Sequence, residues 1–231
     1  MKNILKDYPQ PKTPRYLKKN FRSFKDTLIA SYRDKEFYNG SRSTGYGGYK
    51  YDGRWASVAR NCNNLYKLKN NSKILHLNCD YGFLLYDLKK LNSKFKLFGT
   101  ETSKYAIKNS MIDIKKNISY IRPIDIKFKK KYFDLVIALG VVYTLNLPDA
   151  ILLLKNISHF SKNSFVTLAC YKTDEEKYLF EKWTLGGNLC LKREEWKQIF
   201  KEAGYKGDYL FIDSNYLNLK LQKWILKEKQ Y

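Results

Sequence analysis

The sequence predicts an α/β protein: an open, mostly parallel twisted sheet with helices on both faces and an antiparallel strand near the C-terminus. Three observations carry this expectation. Between residues 73 and 170, short apolar runs of strand length alternate with amphipathic runs of helix length, the pattern of successive βαβ units. The run Phe133-Asp134-Leu135-Val136-Ile137-Ala138-Leu139 is almost continuously apolar, as a strand covered on both faces requires. Finally, 44% of the 231 residues are hydrophobic and 16% aromatic, enough for one substantial core and too much for wholesale disorder.

The elements follow in order. Residues 1 to about 25 carry Pro9, Pro11 and Pro14 among many lysines, which reads as an extended arm. A helix is expected over 24–37. A loop dense in Gly and Tyr covers 41–55. Apolar residues at helical spacing (Trp55, Val58, Ala59, Cys62, Leu65) predict a helix over 55–68, stopped by Asn70-Asn71-Ser72. Strands are expected over 73–79, 95–99, 118–121, 133–139 and 164–170. Helices are expected over 83–91, 103–111 and 148–160. The tail reads as a helix over 193–203 and strands over 208–213 and 219–226.

Lys plus Arg is 44 and Asp plus Glu is 22, a formal net charge of +22. Such a chain is drawn to polyanions. However, its lysines are scattered, and Asn, Ile and Tyr are abundant beside them. That combination reads as a coding bias towards A/T-rich codons rather than a nucleic-acid stripe. No apolar run approaches the roughly 18 residues of a membrane helix. The N-terminus shows no apolar stretch with a cleavage site, so a cytoplasmic setting is expected. Cys62, Cys79, Cys170 and Cys190 share no metal-type spacing, so reduced thiols and no metal are expected.

In an open α/β sheet, ligands bind beyond the carboxyl ends of the strands. Three such ends carry suggestive residues: Asn78-Cys79-Asp80-Tyr81-Gly82, Gly99-Thr100-Glu101-Thr102-Ser103, and Ala138-Leu139-Gly140. A turn closed by Gly82 before a helix lets a ligand approach the backbone. Glu101, about twenty residues on, is placed to accept both hydroxyls of a ribose.

With these residues the sequence resembles the class I S-adenosylmethionine (SAM)-dependent methyltransferases over roughly residues 45–213. In Ile74-Leu75-His76-Leu77-Asn78-Cys79-Asp80-Tyr81-Gly82, Cys79 and Gly82 match the family's first motif. His76 stands where the family has Asp, and Asn78 and Asp80 stand where it has Gly. Glu101 matches the ribose acid, and Phe133 to Ile137 match the fourth motif. Tyr46 to Trp55, with Trp183 and Trp196, look like a small bacterial subgroup associated with surface polysaccharides.

The resemblance implies a Rossmann-like fold, with residues 1–60 as an arm and cap over the cofactor site and 61–231 as the methyltransferase domain. It implies SAM as cofactor, held by Tyr46, Arg54, Asn78, Cys79, Asp80, Gly82, Glu101, Thr102 and Leu139. Tyr143 stands in the zone after the fourth strand where many members have a catalytic His, although an ordinary Tyr pKa near 10 makes it a poor base. Arg54 either clamps the donor carboxylate or pairs with an acid. Tyr46, Tyr49 and Tyr51 either line a pocket or pack the loop. His76 is expected to support the loop by hydrogen bonding. Asn and Asp tolerate positive φ best after Gly, so the altered turn can survive.

The implied reaction is methyl transfer to a small molecule, a hydroxyl of a sugar or an anionic nucleotide-sugar. Two alternatives stay open. One is a degenerate, non-catalytic member, since two motif glycines are lost. The other is an RNA methyltransferase or RNA-binding protein using the basic surface, against which stands the lack of an Asn-Pro-Pro-Tyr-type motif or an aromatic-basic platform.

Overall fold

In the computed structural model, which describes residues 1–18 and 21–222, the apolar runs become parallel strands. The chain begins with β1 (Arg15–Leu17), α1 (Phe24–Ser31), α2 (Lys35–Asn39) and α3 (Ala56–Tyr66). The alternating portion follows: β2 (Lys73–Leu77), α4 (Phe83–Leu91), β3 (Lys96–Glu101), α5 (Lys104–Lys108), β4 (Ile118–Tyr120), β5 (Leu135–Ala138), α6 (Leu147–Phe160) and β6 (Ser164–Tyr171). Then come α7 (Asp174–Trp183), β7 (Leu191–Lys192), α8 (Arg193–Ala203), β8 (Asp208–Ile212) and β9 (Leu219–Leu221).

The main sheet runs β4-β3-β2-β5-β6, with β8 beside most of β6 and β7 beside its last two residues. Every described pairing is parallel, with Ile74 opposite Leu97 on one side and Leu135 on the other. The antiparallel C-terminal strand is therefore not seen. β8 joins β6 in parallel, and β9 leaves the sheet to pair in parallel with β1. The rest of the strand expected over 219–226 lies beyond the described residues.

Side chains of successive strand residues point to opposite faces, and this splits the core in two. Leu75, Leu77, Val136, Ala138, Val166 and Leu168 pack against Leu153, Leu154 and Ile157 of α6 and Trp196 and Phe200 of α8. Ile74, Leu135, Ile137 and Phe165 pack on the other face against Val58, Ala59 and Cys62 of α3 and Leu84, Leu85 and Leu88 of α4. Ile4 and Leu5 join this second cluster. The boundary expected at residue 60 falls inside α3, and the arm contributes to the same core.

Local chemistry sets the helix ends. Asn146 caps α6 through the Asp149 amide, with Pro148 in its first turn. Thr173 caps α7, whose first turn holds Asp174, Glu175 and Glu176, a start signal that the sequence reading passed over. The single helix expected over 24–37 is broken in two. Arg33 takes a left-handed backbone (φ 49°), and Asp34 starts α2 by capping Glu36. No helix among the described residues is long and apolar enough to cross a membrane.

Candidate functional site

The strand order reverses between β2 and β5: the chain runs outward to β3 and β4 and then returns to the other side of β2. At such a switch point the loops after the two strands diverge and leave a crevice. A cavity of about 490 Å³ lies there. Its floor is His76 on β2, Asn78, Cys79 and Asp80 after it, Leu139 after β5, and Thr167 on β6. Its roof comes from the first 55 residues, including Tyr8, Arg15, Arg42, Tyr46, Tyr49 and Trp55.

The turn after β2 keeps its shape without two of the expected glycines. Asn78 and Asp80 have φ of 48° and 52°, and Gly82 has φ of 73°. Asn and Asp are the residues that best tolerate this region after Gly. The turn is pinned to β3 by the Asn78 amide donating to Thr100 Oγ1 (3.2 Å) and the Cys79 amide donating to the Thr100 carbonyl (2.9 Å).

Of the ten residues expected at the site, Tyr46, Arg54, Asn78, Cys79, Asp80, Leu139 and Tyr143 line the cavity, whereas Gly82, Glu101 and Thr102 do not. A Cβ on Gly82 would sit 2.3 Å from Ile114 Cδ1, so this glycine serves close packing of the turn. Thr102 contributes its backbone amide to Glu101 and does not reach the cavity.

Glu101 is the clearest departure. Its carboxylate is fully buried and accepts the amides of Asp80 (2.8 Å), Thr102 (2.8 Å) and Ser103 (2.9 Å). The Arg33 guanidinium stands 3.7 Å away and also binds Asp80 at 2.7 Å. Ser103 Oγ donates to the Arg33 carbonyl and so anchors the turn between α1 and α2. Tyr38 of α2 is buried beside it and donates to Asp80 (2.8 Å). Arg33 and, through Asp80, Tyr38 thus stand beside Glu101, which does not line the cavity. Sequence reading missed both. Their signal was faint: one arginine among many lysines, and one tyrosine among 20.

Asp80 also accepts Tyr46 Oη at 3.2 Å and, at long range, Tyr49 Oη at 3.4 Å. Burial, and then the Asp80 charge, push both phenols well above their usual pKa. They therefore stay protonated and serve as donors. Burial raises the Glu101 carboxyl, helped by Asp80 and opposed by Arg33 and the backbone amides. For Arg33, burial works against the charge, but Asp80, Tyr38 and Glu101 outweigh it and its pKa rises.

Arg54 pairs with Asp52: its Nε donates to the two carboxylate oxygens at 2.9 and 2.7 Å. Its acid-pairing alternative holds, although the partner lies on the loop. Tyr51 binds Asp87 at 2.5 Å and packs the loop. Tyr143 lies beneath the cavity mouth, where burial pushes its hydroxyl up to about 12. It is a hydrogen-bond donor at neutral pH and not a base. His76 is buried and its Nδ1 has no partner, which corrects the expectation that it braces the loop. Burial pushes its pKa down to about 4, so it is neutral. Asn78 Oδ1 is likewise buried and unpartnered.

The architecture can be set beside solved structures. YcgJ from Bacillus subtilis superposes with a TM-score of 0.52 at 9% identity, over 63% of this chain and 66% of that one. The [4+2]-cyclase SpnF gives 0.50 at 14% identity, over 64% and 57%. A putative methyltransferase, BH2331 of Bacillus halodurans C-125, gives 0.50 at 13%, over 63% and 68%. The fold is that of the class I methyltransferases. The match spans less than two thirds of the length of YcgJ and of SpnF. No family model matches the sequence, and no curated protein matches it. Because one of these methyltransferase-fold neighbours is a cyclase, the fold alone does not name the reaction.

Proposed function

We propose that the chain is a SAM-dependent methyltransferase acting on a small molecule, with a sugar or nucleotide-sugar hydroxyl as acceptor. The observation that carries this reading is the cavity at the β2/β5 switch point, walled by a turn that keeps three left-handed residues. Two features of the wall bear on its fit to the donor. His76 Nδ1 and Asn78 Oδ1 are unpartnered polar atoms in residues of the cavity wall. Such atoms are costly to bury without a partner and fit a polar ligand. Glu101 fits a ribose only once Arg33 and Tyr38 have withdrawn from it.

SAM supplies an electrophilic methyl group on a sulfonium. The chain's own residues bind and align. Asn78, Cys79, Asp80 and Leu139 would hold the donor from the floor, and Tyr46 from the roof. Tyr8 and Trp55 line the cavity with aromatic surface, and their polar tips offer hydrogen bonds to a sugar-sized acceptor. No strong base stands ready on this wall. Tyr143 stays protonated, His76 is a weak base, and Asp80 is already bound by Arg33 and phenols. Proximity and alignment are therefore the main contributions.

A second reading, a non-catalytic protein on the same fold, is favoured by the sealing of Glu101. Calorimetric titration with SAM separates the two. Micromolar binding, weakened about tenfold or more in Glu101→Gln, is the expected result. Absence of binding at millimolar SAM favours the non-catalytic reading.

A further inference from the structure

The chain has eight arginines, six of them in its first 60 residues. In a lysine-rich protein, that concentrates the side chain best suited to planar, bidentate anion binding at the cap. Two of the six are neutralised in place: Arg33 by Asp80 and Arg54 by Asp52. Three others converge elsewhere on the roof. The guanidinium carbons of Arg15 and Arg22 each lie 5.0 Å from the centroid of the same Trp183 ring. Arg42 lines the cavity together with Arg15. Among the described residues, no carboxylate stands within salt-bridge distance of Arg15, Arg22 or Arg42. Arg22 Nε is buried and has no hydrogen-bond partner. The strain of this arrangement is visible in their acidity. Burial, and then the charge of Arg42, lower the pKa of both Arg15 and Arg22, the latter to about 10.

Like charges gathered in a partly desolvated place repel each other and are relieved by a counter-charge. Asp26 is near enough to Arg22 to oppose this in part, but among the described residues no acid pairs with the three arginines as Asp80 pairs with Arg33 and Asp52 with Arg54. The position is the rim of the cavity proposed above for methyl transfer. Gln10 and Tyr216 also line it and are joined through Gln10 Nε2 donating to Tyr216 Oη at 2.9 Å.

We infer that Arg15 and Arg42, backed by Arg22, form a phosphate subsite at the cavity mouth, which takes the phosphate or diphosphate of a small-molecule acceptor. The inference rests on the methyltransferase reading for the word acceptor, but not for the subsite itself. Trp183 holds Arg15 and Arg22 by cation–π contact. Arg42 is exposed, and among the described residues the hydrogen bond its guanidinium donates is to the Tyr46 carbonyl, so it can swing towards the ligand. Guanidinium–phosphate pairs are charge-assisted and often bidentate, so such a ligand would be oriented as well as attracted.

The test is calorimetric titration of the full chain with inorganic pyrophosphate at about 150 mM KCl, a salt level that screens diffuse surface charge. No SAM is added. Arg15→Gln and Arg42→Gln are compared with Arg122→Gln, a surface arginine paired with Asp125, and all are checked for an unchanged melting transition. Because Arg42 is exposed, its variant reports even if Arg15→Gln fails to fold. The expected result is saturable one-to-one binding, weakened about tenfold or more in Arg42→Gln and Arg15→Gln and by less than twofold in Arg122→Gln. Non-saturable binding, or equal weakening in all three variants, overturns the inference. Pyrophosphate binding without SAM binding would leave the subsite standing and count against the methyltransferase reading.

Discussion

The two halves of the sheet's carboxyl edge are built in opposite ways. Around Glu101, every charge has a partner. Three backbone amides and Arg33 face the carboxylate, and Asp80 holds Arg33 and Tyr38. Around Leu139 and Tyr143, the same edge opens into a cavity with unpartnered polar atoms and a rim of arginines that have no ion pair among the described residues. The residue that best matches a cofactor motif is thus the one already satisfied by the protein. The altered turn, Asn78 to Asp80, faces both halves and couples them through Asp80.

The difference can be broken from its most buried member outwards. Glu101→Ala leaves three amides and a guanidinium without their acceptor. It should destabilise the fold by about 3–5 kcal/mol, as removal of one partner of a buried ion pair does; denaturant unfolding measures it.

The next effect is a pH dependence. Burial holds His76 near pKa 4 in the folded chain, against an ordinary value of 6.5. The unfolded chain therefore takes up its proton first. The stability tied to neutral His76 is complete above pH 6.5 and falls as the pH drops towards 4. The full shift corresponds to about 3 kcal/mol. The unfolding midpoint should fall between pH 7 and 4 accordingly, and His76→Asn should flatten that pH dependence.

Smaller still is Tyr38→Phe. It removes the hydrogen bond donated to Asp80 and the one accepted from Arg33, while leaving the ring stacked on Tyr81 at 4.9 Å. A loss of about 1.5–3 kcal/mol is expected from thermal or denaturant melts. The smallest belongs to the open half. The Arg54–Asp52 pair is close to half exposed on both sides, so Arg54→Gln should change stability by less than about 1 kcal/mol. A larger loss there than in Tyr38→Phe would contradict the division into a closed and an open half.

Much of the sheet was legible because burial on both faces leaves a local record. The strand at 133–139 and the helices at 83–91 and 193–203 stand close to where their apolar spacing puts them. The helix α7 was missed because only Leu179 and Phe180 of it are buried, which leaves a sparse apolar spacing behind its start signal. The break at Arg33 was missed because its cause is tertiary: Ser103 holds its carbonyl, and Asp80 holds its guanidinium. The site was readable only in part for the same reason. Motif position put Asn78, Cys79, Asp80 and Leu139 on the cavity wall. What covers Glu101 comes from a segment far away in the chain, and no spacing rule connects them. The pairing of β8 and β9 was also beyond reach, because short apolar runs carry no record of parallel against antiparallel direction.

The central claim is that, if Glu101 is to meet the ribose of SAM as proposed, Arg33, 3.7 Å from its carboxylate, must give way. Calorimetric titration of wild type and Arg33→Ala with SAM tests it most directly. Removing the guanidinium frees the Glu101 carboxylate and leaves Asp80 on the cavity wall with its phenol partners, so SAM should bind Arg33→Ala at least about fivefold more tightly than wild type. Equal or weaker binding by a variant that melts as a folded protein would contradict the account.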